Sequence, residues 1–333
     1  MKIAVVILNW NGKKLLEQFL PAIVKYSPQA DIYVADNAST DTSISFVKAN
    51  FPTIKIVQNE RNFGFAQGYN EALKHIDSQI YALVNSDIEV TENWLKPIVE
   101  TFEKEPKTAI IQPKILDYNR KEYFEYAGAA GGFMDKYGYM FCRGRIFETL
   151  EKDSGQYDDN CEIFWASGAC FFIRSSIYKE LNGFDADFFA HQEEIDLCWR
   201  AFNKGHVIKY NSKSVVYHVG GATLQQGNPM KTFLNFRNSL LMMVKNLPKN
   251  LLVPVFFMRL ILDGIAGMQF LLQGKFKHFW AILRAHFAFY RLIPQNYRKR
   301  ENFQSAKYYK VKSIVYLYFL KKIKVFTKIF DSK

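Results

Sequence analysis

Cysteine is scarce here and shows no pairing pattern: the chain has four, Cys142, Cys161, Cys170 and Cys198, and no two stand in C-x-x-C spacing. That excludes a zinc ribbon, a thioredoxin-type redox motif and a disulfide-built secreted scaffold, so reduced thiols in the cytosol are expected. No secretory leader is expected either, because the apolar run from Ile3 halts at Asn9 and no small-residue cleavage site follows. Two glycine signatures for nucleotides are missing. Only Gly12 follows the first apolar run, which rules out G-x-G-x-x-G there, and no G-x-x-x-x-G-K-S/T occurs. Internal repeats and low-complexity segments are absent as well, so the 333 residues can bury a sizeable core.

What is present is alternation. Apolar runs over 3–9, 32–35, 54–57 and 80–84 each end in polar turn formers, and helix-like stretches over 13–26, 42–50 and 66–75 lie between them. Strand alternating with helix predicts an open α/β sheet with crossover connections, and in such sheets ligands bind beyond the carboxyl ends of the strands. Asn9, Asp36 and Asp87 all fall at those ends. Gly64 and Gly68 stand at a helix start, where backbone N–H groups can face a phosphate.

The most chemically loaded stretch is GFDADFFAHQEEIDLCWR over 183–200. Glu193, Glu194 and Asp196 crowd within four residues. Mutual repulsion raises the proton affinity of at least one of them, which is the condition a general base needs. Ile195, Trp199 and Phe202 recur at helical spacing just beyond, with Asp196 and Arg200 four apart and able to pair. A plainer reading makes the acids a charged helix N-terminus favoured by the macrodipole.

Taken in order, ILNWNG, DNAST, RNFGFAQGYN, LVNSD, WASGAC, GFDADFFAHQEEIDLCWR and VVYHVGGAT resemble family 2 of the inverting nucleotide-sugar glycosyltransferases, over roughly residues 1–245. The likeness is strongest to the branch of rhamnosyltransferases and related cell-surface polysaccharide enzymes. It implies a GT-A fold: an α/β architecture with a mostly parallel sheet flanked by helices, here with a C-terminal helical extension. It implies that Asn9 and Asp36 hold the base and ribose of a nucleoside-diphosphate sugar, and that Arg61 and Asn62 reach the nucleotide from the third strand's end. Asp87 takes the place of the second acid of the family's D-x-D, where a carboxylate and the donor diphosphate share Mg²⁺ or Mn²⁺. His218 matches the residue that approaches the metal or the diphosphate. Glu194 matches the catalytic base, with Glu193 as its understudy.

Two positions depart from that pattern. Asn85 replaces the first acid of D-x-D, and Glu194 stands where an Asp is usual, lengthening the arm by one methylene. The expected activity is inverting transfer of a hexose such as rhamnose to a hydroxyl of a cell-surface glycan precursor carried on a lipid diphosphate. The departures leave a rival: a catalytically silent scaffold that binds a glycan or a nucleotide sugar. A sugar-1-phosphate nucleotidyltransferase is the third reading, but it needs a Gly- and Arg-rich loop after the first strand, which NWNGKKLL does not supply.

Residues 126–159 are rich in Gly and aromatics and predict loops with a hairpin, which the resemblance places on the acceptor side. Trp165 follows, expected to stack on a sugar face, with a core position as the alternative. Beyond 245 the composition changes: residues 245–333 hold 18 Lys and Arg against Asp263, Glu301 and Asp331, a net +15, so residues 1–244 carry −3 of the whole-chain +12. The break predicts a catalytic domain over 1–245 and a helical extension over 246–333. Arg259 and Asp263 interrupt its first apolar run, and no run reaches the roughly 18 nearly uncharged residues of a spanning helix. Basic, aromatic, amphipathic helices lie in a bilayer interface, so peripheral attachment to the cytoplasmic face of the inner membrane is expected. The rival is a helical cap that shows its basic face to water. Nucleic acid is not an expected partner despite a pI near 9.3, because the basic residues are interleaved with bulky aliphatics and no nucleic-acid motif occurs.

Overall fold

A computed structural model describes residues 1–220 and 227–330. The last three residues of VVYHVGGAT lie outside the described residues. The chain opens with β1 (Ile3–Asn9), α1 (Lys13–Tyr26), β2 (Asp31–Asp36), α2 (Ser43–Asn50), β3 (Lys55–Gln58), α3 (Gly64–Leu73) and β4 (Ile80–Asn85). All four strands are mutually parallel in the order β4-β1-β2-β3, with Asn9 level with Asp36 and Leu8 level with Asn85. Such strands are covered on both faces, which is why β1 reads as an unbroken apolar run. Its Ala4 and Val6 face Tyr69 and Ala72 of α3, while Ile3, Val5 and Ile7 share the other core with Leu16, Leu20 and Ile23 of α1.

After β5 (Ile88–Val90), α4 (Lys96–Lys104) and β6 (Thr108–Asp117) the chain builds a second, four-stranded sheet from β7 (Gly132–Met134), β8 (Met140–Cys142), β9 (Arg145–Ile146) and β10 (Thr149–Leu150). That small sheet occupies the Gly- and aromatic-rich stretch expected to form loops and a hairpin. β11 (Cys161–Ile163), β12 (Cys170–Arg174), α5 (Ser175–Glu180), α6 (Glu193–Asn203) and β13 (Val207–His218) complete the main sheet. β12 enters antiparallel between β4 and β6, so the sheet is mixed beyond its parallel first half. β13 runs parallel to β6, slips register between Asn211 and Val215, and ends with His218 opposite Ile88 of β5 and Asp117 of β6.

Three long helices follow: α7 (Pro229–Asn246), α8 (Lys249–Leu272) and α9 (Phe276–Arg298). α7 packs on α6 and α9, and α8 packs on α9. The segment beyond α9 returns to the small sheet, where Lys310 N–H donates to Met134 O and Phe326 N–H donates to the Glu151 carboxylate. α8 corrects one expectation. It is a single 24-residue helix, long and apolar enough by length and composition to cross a bilayer, and only 22% of its apolar stretch is buried. The charges that interrupt its sequence are turned inward. Val255, Arg259, Asp263 and Gly267 form the buried stripe at intervals of four, and Val253, Phe257, Ile261, Ile265, Met268 and Leu272 lie exposed on the outside.

Arg259 and Asp263 are held deep in that seam. Nε of Arg259 lies 2.7 Å from Asp263 Oδ1, the Tyr139 hydroxyl donates to the same oxygen at 2.9 Å, and His286 Nε2 stands 3.1 Å from Oδ2. Truncating one partner of a buried pair strands the other without compensation. Asp263→Ala should therefore cost about 3–5 kcal/mol of unfolding free energy, measured by urea titration, whereas a loss typical of a solvated pair would show that the seam admits water.

Candidate active site

The first wall of the site is a stitch between two loops. Asn9 Nδ2 donates to Asp36 Oδ1 at 3.0 Å and to Ser39 Oγ at 3.1 Å, and Ser39 gives its N–H to Asp36 Oδ2 at 2.9 Å and its hydroxyl to Oδ1 at 2.6 Å. Asn11 N–H reaches Ser39 Oγ at 2.8 Å, and Asn11 Oδ1 accepts from Thr40 N–H at 2.7 Å. Asn and Asp are suited to this because short polar side chains bond backbone two or three residues away and tolerate the left-handed region, which Asn11 occupies at φ 51°. Asn9 and Asp36 are both fully buried, and Asn9 Oδ1 has no hydrogen-bond partner. An unpaired buried acceptor at a loop crevice is an opening for a ligand donor. Next to it, the indole of Trp10 is 54% exposed.

A second asparagine ladder, unnoticed in the sequence, ties this wall to α3. Asn59 Nδ2 donates to Asn37 Oδ1 at 2.8 Å and to Gly68 O at 3.0 Å, and Asn37 Nδ2 donates to Gly64 O at 2.8 Å. A Cβ at Gly68 would stand 2.6 Å from Asn37 Nδ2, so glycine there serves close packing. Asn62 Oδ1 accepts from Gly64 N–H at 2.9 Å, capping the helix start, and Arg61 is exposed at the rim with its guanidinium 4.8 Å from the Phe63 ring centre.

The second wall forms beyond β4. Asp87 is buried, and its Oδ1 lies 3.2 Å from His218 Nε2. The other ring nitrogen, Nδ1, is 3.2 Å from Glu125 Oε1, out of hydrogen-bonding alignment. Burial disfavours the charged ring, but Glu125 and Asp87 on either side outweigh it and lift His218 to about 10. His218, the other expected metal ligand, thus has both ring nitrogens turned to carboxylates, with Nε2 toward Asp87. Among the described residues no group of three or more His, Cys, Asp and Glu is arranged to hold a metal ion. Asp87 alone fits a hard cation of the kind that takes one or two carboxylates and draws its remaining oxygens from substrate phosphate and water. Glu125 went unmarked in the sequence: it lies just ahead of the Gly-rich segment and belongs to none of the motifs.

The third wall carries the acids. Glu193 and Glu194 open α6, with Gln192 at φ 76° just before them. Glu193 is buried, its Oε2 has no partner, and burial followed by the charge of Glu194 holds its carboxyl well above the usual carboxylate range. Glu194 keeps partial exposure. Loss of surrounding water raises it to about 7, opposed by backbone N–H groups of Gly168 and of the helix's first turn. Asp196 adds the smallest of the contributions to Glu193, its own carboxylate being met by Arg200 Nε at 2.8 Å, Lys245 Nζ at 2.8 Å and Asn246 Nδ2 at 2.9 Å.

The walls meet. A Cβ on Gly168 would lie 3.5 Å from Glu194 Cδ, the next carbonyl, Ala169 O, accepts from Asn85 N–H at 2.9 Å, and Asp87 follows two residues later. Asn9, Asp36, Asp87, His218 and Glu194 thus share one edge of the sheet. Trp165 does not join them. It is 2% exposed, its indole N–H donates to Phe133 O at 2.9 Å, and its ring lies against Gly132, so it presents no face to a sugar. Two cavities lie elsewhere: one of about 530 Å³ lined by Arg143, Tyr157, Lys310 and Phe326, and one of about 280 Å³ between α8 and α9.

Comparison with known proteins agrees with the fold. The sequence model of glycosyl transferase family 2 matches residues 4–181. The N-acetylglucosaminyl-diphospho-decaprenol L-rhamnosyltransferase of Mycobacterium tuberculosis is 20% identical over 229 residues, covering 64% of this chain and 75% of the relative. Among solved structures, S. aureus TarS 1–349 in complex with UDP-GlcNAc superposes with TM-score 0.58 at 16% identity, covering 90% of this chain and 84% of that one. GalNAc-T7 with UDP, GalNAc and Mn²⁺ gives TM-score 0.59 at 18% identity over 75% of this chain, which spans 48% of that longer one. At such identities the superpositions speak for the fold, a GT-A glycosyltransferase architecture. With more than half of its length matched and its strand-end polar residues gathered on one edge, the chain belongs to glycosyl transferase family 2.

Proposed function

We propose that this protein is an inverting glycosyltransferase that moves a hexose of the rhamnose type from a nucleoside-diphosphate sugar to a hydroxyl of a lipid-diphosphate-linked glycan precursor, with residues 1–245 as the catalytic unit. The observation that carries it is a glutamate of raised proton affinity, Glu194, on the same sheet edge as Asp87 and the Asn9–Asp36 stitch. Glu194 removes the proton from the acceptor hydroxyl as its oxygen bonds to the anomeric carbon. The bond from that carbon to the diphosphate breaks on the opposite face, and the nucleoside diphosphate leaves with the electron pair. One displacement inverts the centre. Glu193, buried and biased toward its protonated form, is the poorer base. Asp87 would hold a divalent ion together with the donor diphosphate, supplying Lewis-acid compensation for the charge on the leaving group. Mn²⁺ in GalNAc-T7 supports that reading. His218 and Glu125 orient Asp87.

The lipid-linked acceptor and a place on the cytoplasmic face of the inner membrane rest on two supports. The mycobacterial relative acts on a decaprenyl-diphosphate sugar, as its name states. The outer faces of α8 and α9 also expose Phe257, Ile265, Leu272, Phe276, Trp280 and Phe287 within residues 245–333, which hold the basic excess. Its buried Arg259–Asp263 pair keeps α8 docked on the protein, which favours lying in the interface over spanning.

Replacing the base tests the mechanism. Glu194→Gln should lower turnover by about 10²–10⁴-fold with donor binding retained; unchanged turnover removes Glu194 from the reaction. The wild-type rate should rise with pH through about 7. Between pH 4.5 and about 7 the native Glu194 keeps a proton that the unfolded chain has lost, so this group's contribution makes stability fall as pH rises through that window. The glutamine variant should accordingly melt higher than wild type at pH 8 and lose that advantage near pH 4.5.

For the donor, melting temperature should rise with a nucleoside diphosphate, and further with Mn²⁺ added. Asp87→Asn should erase the metal increment alone, while Trp10→Ala should weaken nucleotide binding by about 1–3 kcal/mol if the indole stacks on the base. At low ionic strength the protein should float with vesicles containing anionic lipid and be released by salt. Recovery in the soluble fraction at every salt concentration overturns the membrane reading.

A further inference from the structure

We infer that Asn238 on α7, oriented by Arg237, is the positioning residue that sets where the carboxylate of Glu194 stands. The inference rests on Glu194 being the base. Three non-glycine residues just ahead of it have left-handed backbones: Phe189 at φ 63°, His191 at φ 69° and Gln192 at φ 76°. At Phe189 the ψ is −58° and Ala190 N–H closes on Phe188 O at 2.7 Å, a γ-turn of the rare, strained sign. A run of this kind persists only when its surroundings over-determine it.

The carbonyls show what does so. Asn238 is fully buried, and its Nδ2 lies 3.0, 2.9 and 2.8 Å from the carbonyl oxygens of Phe188, Ala190 and His191. An amide nitrogen has two hydrogens, so one is shared. Arg237 Nε donates to Asn238 Oδ1 at 2.8 Å, which prevents the amide from flipping, and Arg237 Nη2 reaches Asp187 O at 3.0 Å and Phe188 O at 3.2 Å. The remaining carbonyl, Phe189 O, accepts from Phe65 N–H at 3.0 Å on the donor side. Every carbonyl from 187 to 191 is therefore held, four of the five by two adjacent residues of α7. Asp185 and Asp187, at the loop's start, are tied to Lys245 at the end of α7 and to Lys299 just past α9. The C-terminal helices thus hold the shape of the turn that aims the base.

A displacement of about 1 Å at a reacting group can cost about a hundredfold in rate. Asn238→Ala should lower kcat by that order with KM for the donor and nucleotide-induced melting shifts retained. The decisive measurement is a cycle of Asn238→Ala, Glu194→Gln and the double variant, reading release of nucleoside diphosphate from the donor. If Asn238 acts through Glu194, the double variant turns over like Glu194→Gln alone. A further full loss in the double variant, or wild-type kcat in Asn238→Ala, overturns the positioning role while the base reading stands. Wild-type turnover in Glu194→Gln removes both. Asn211, a buried amide bound to Pro97 O and Thr101 Oγ1, is the control: Asn211→Ala should lower melting temperature and leave kcat in place. Should Asn238→Ala fail to fold, Arg237→Gln, which frees the amide without emptying its site, carries the same cycle.

Discussion

The buried carboxylate of Asp196 is the interaction on which the rest of this molecule turns. It accepts from Arg200, Lys245 and Asn246, so one side chain binds the base helix to itself and to α7. Arg200 goes on to Leu181 O and Gly183 O, and Lys245 to Asp185, so the turn between α5 and α6 is fastened to the same knot. Burying an unpaired carboxylate is far costlier than burying one so completely compensated. Within a single helical turn the same acid chemistry therefore has two outcomes. Asp196 has its charge matched and holds structure together, while Glu193 and Glu194 are left with raised proton affinity.

Much of this could be read from the residues alone, for physical reasons that differ by region. The four parallel strands and three helices of the first half came out within a residue or two because uninterrupted apolar runs and 3.6-residue periodicity leave little choice. The placement of Asn9, Asp36 and Asp87 at or just past strand ends was readable because polar residues stop the apolar runs, and that of Glu194 at a helix start because helical spacing follows it. The small sheet was only half visible, since strands of two or three residues carry no periodicity. Glu125 and the Asn37–Asn59 ladder gave no local sign, because their significance comes from partners 93 and 22 positions away. Trp165 was assigned to the acceptor side, but its indole N–H found a core carbonyl.

Charges inside apolar runs deceived in a different way. Arg259 and Asp263 looked like interruptions, yet at a spacing of four they share one helical face and neutralise each other against Tyr139 and His286. A linear scan counts them as polar breaks, whereas the folded helix sequesters them and leaves Val253, Phe257, Ile261, Ile265 and Leu272 exposed. His218 gains its neighbours from the fold as well, standing between Asp87 and Glu125.

The inward-facing ion pair of α8 has a mechanical consequence. A helix that cannot roll outward without dragging bare charge into hydrocarbon cannot act as a flexible tether. Under the membrane attachment proposed above it would behave as a fixed foot, so the height of the Asp87–Glu194 edge above the headgroups would be set by the architecture itself. Only acceptor hydroxyls presented at that one elevation would come within reach, and the foot would work as a ruler that selects by distance before any side chain recognises a sugar.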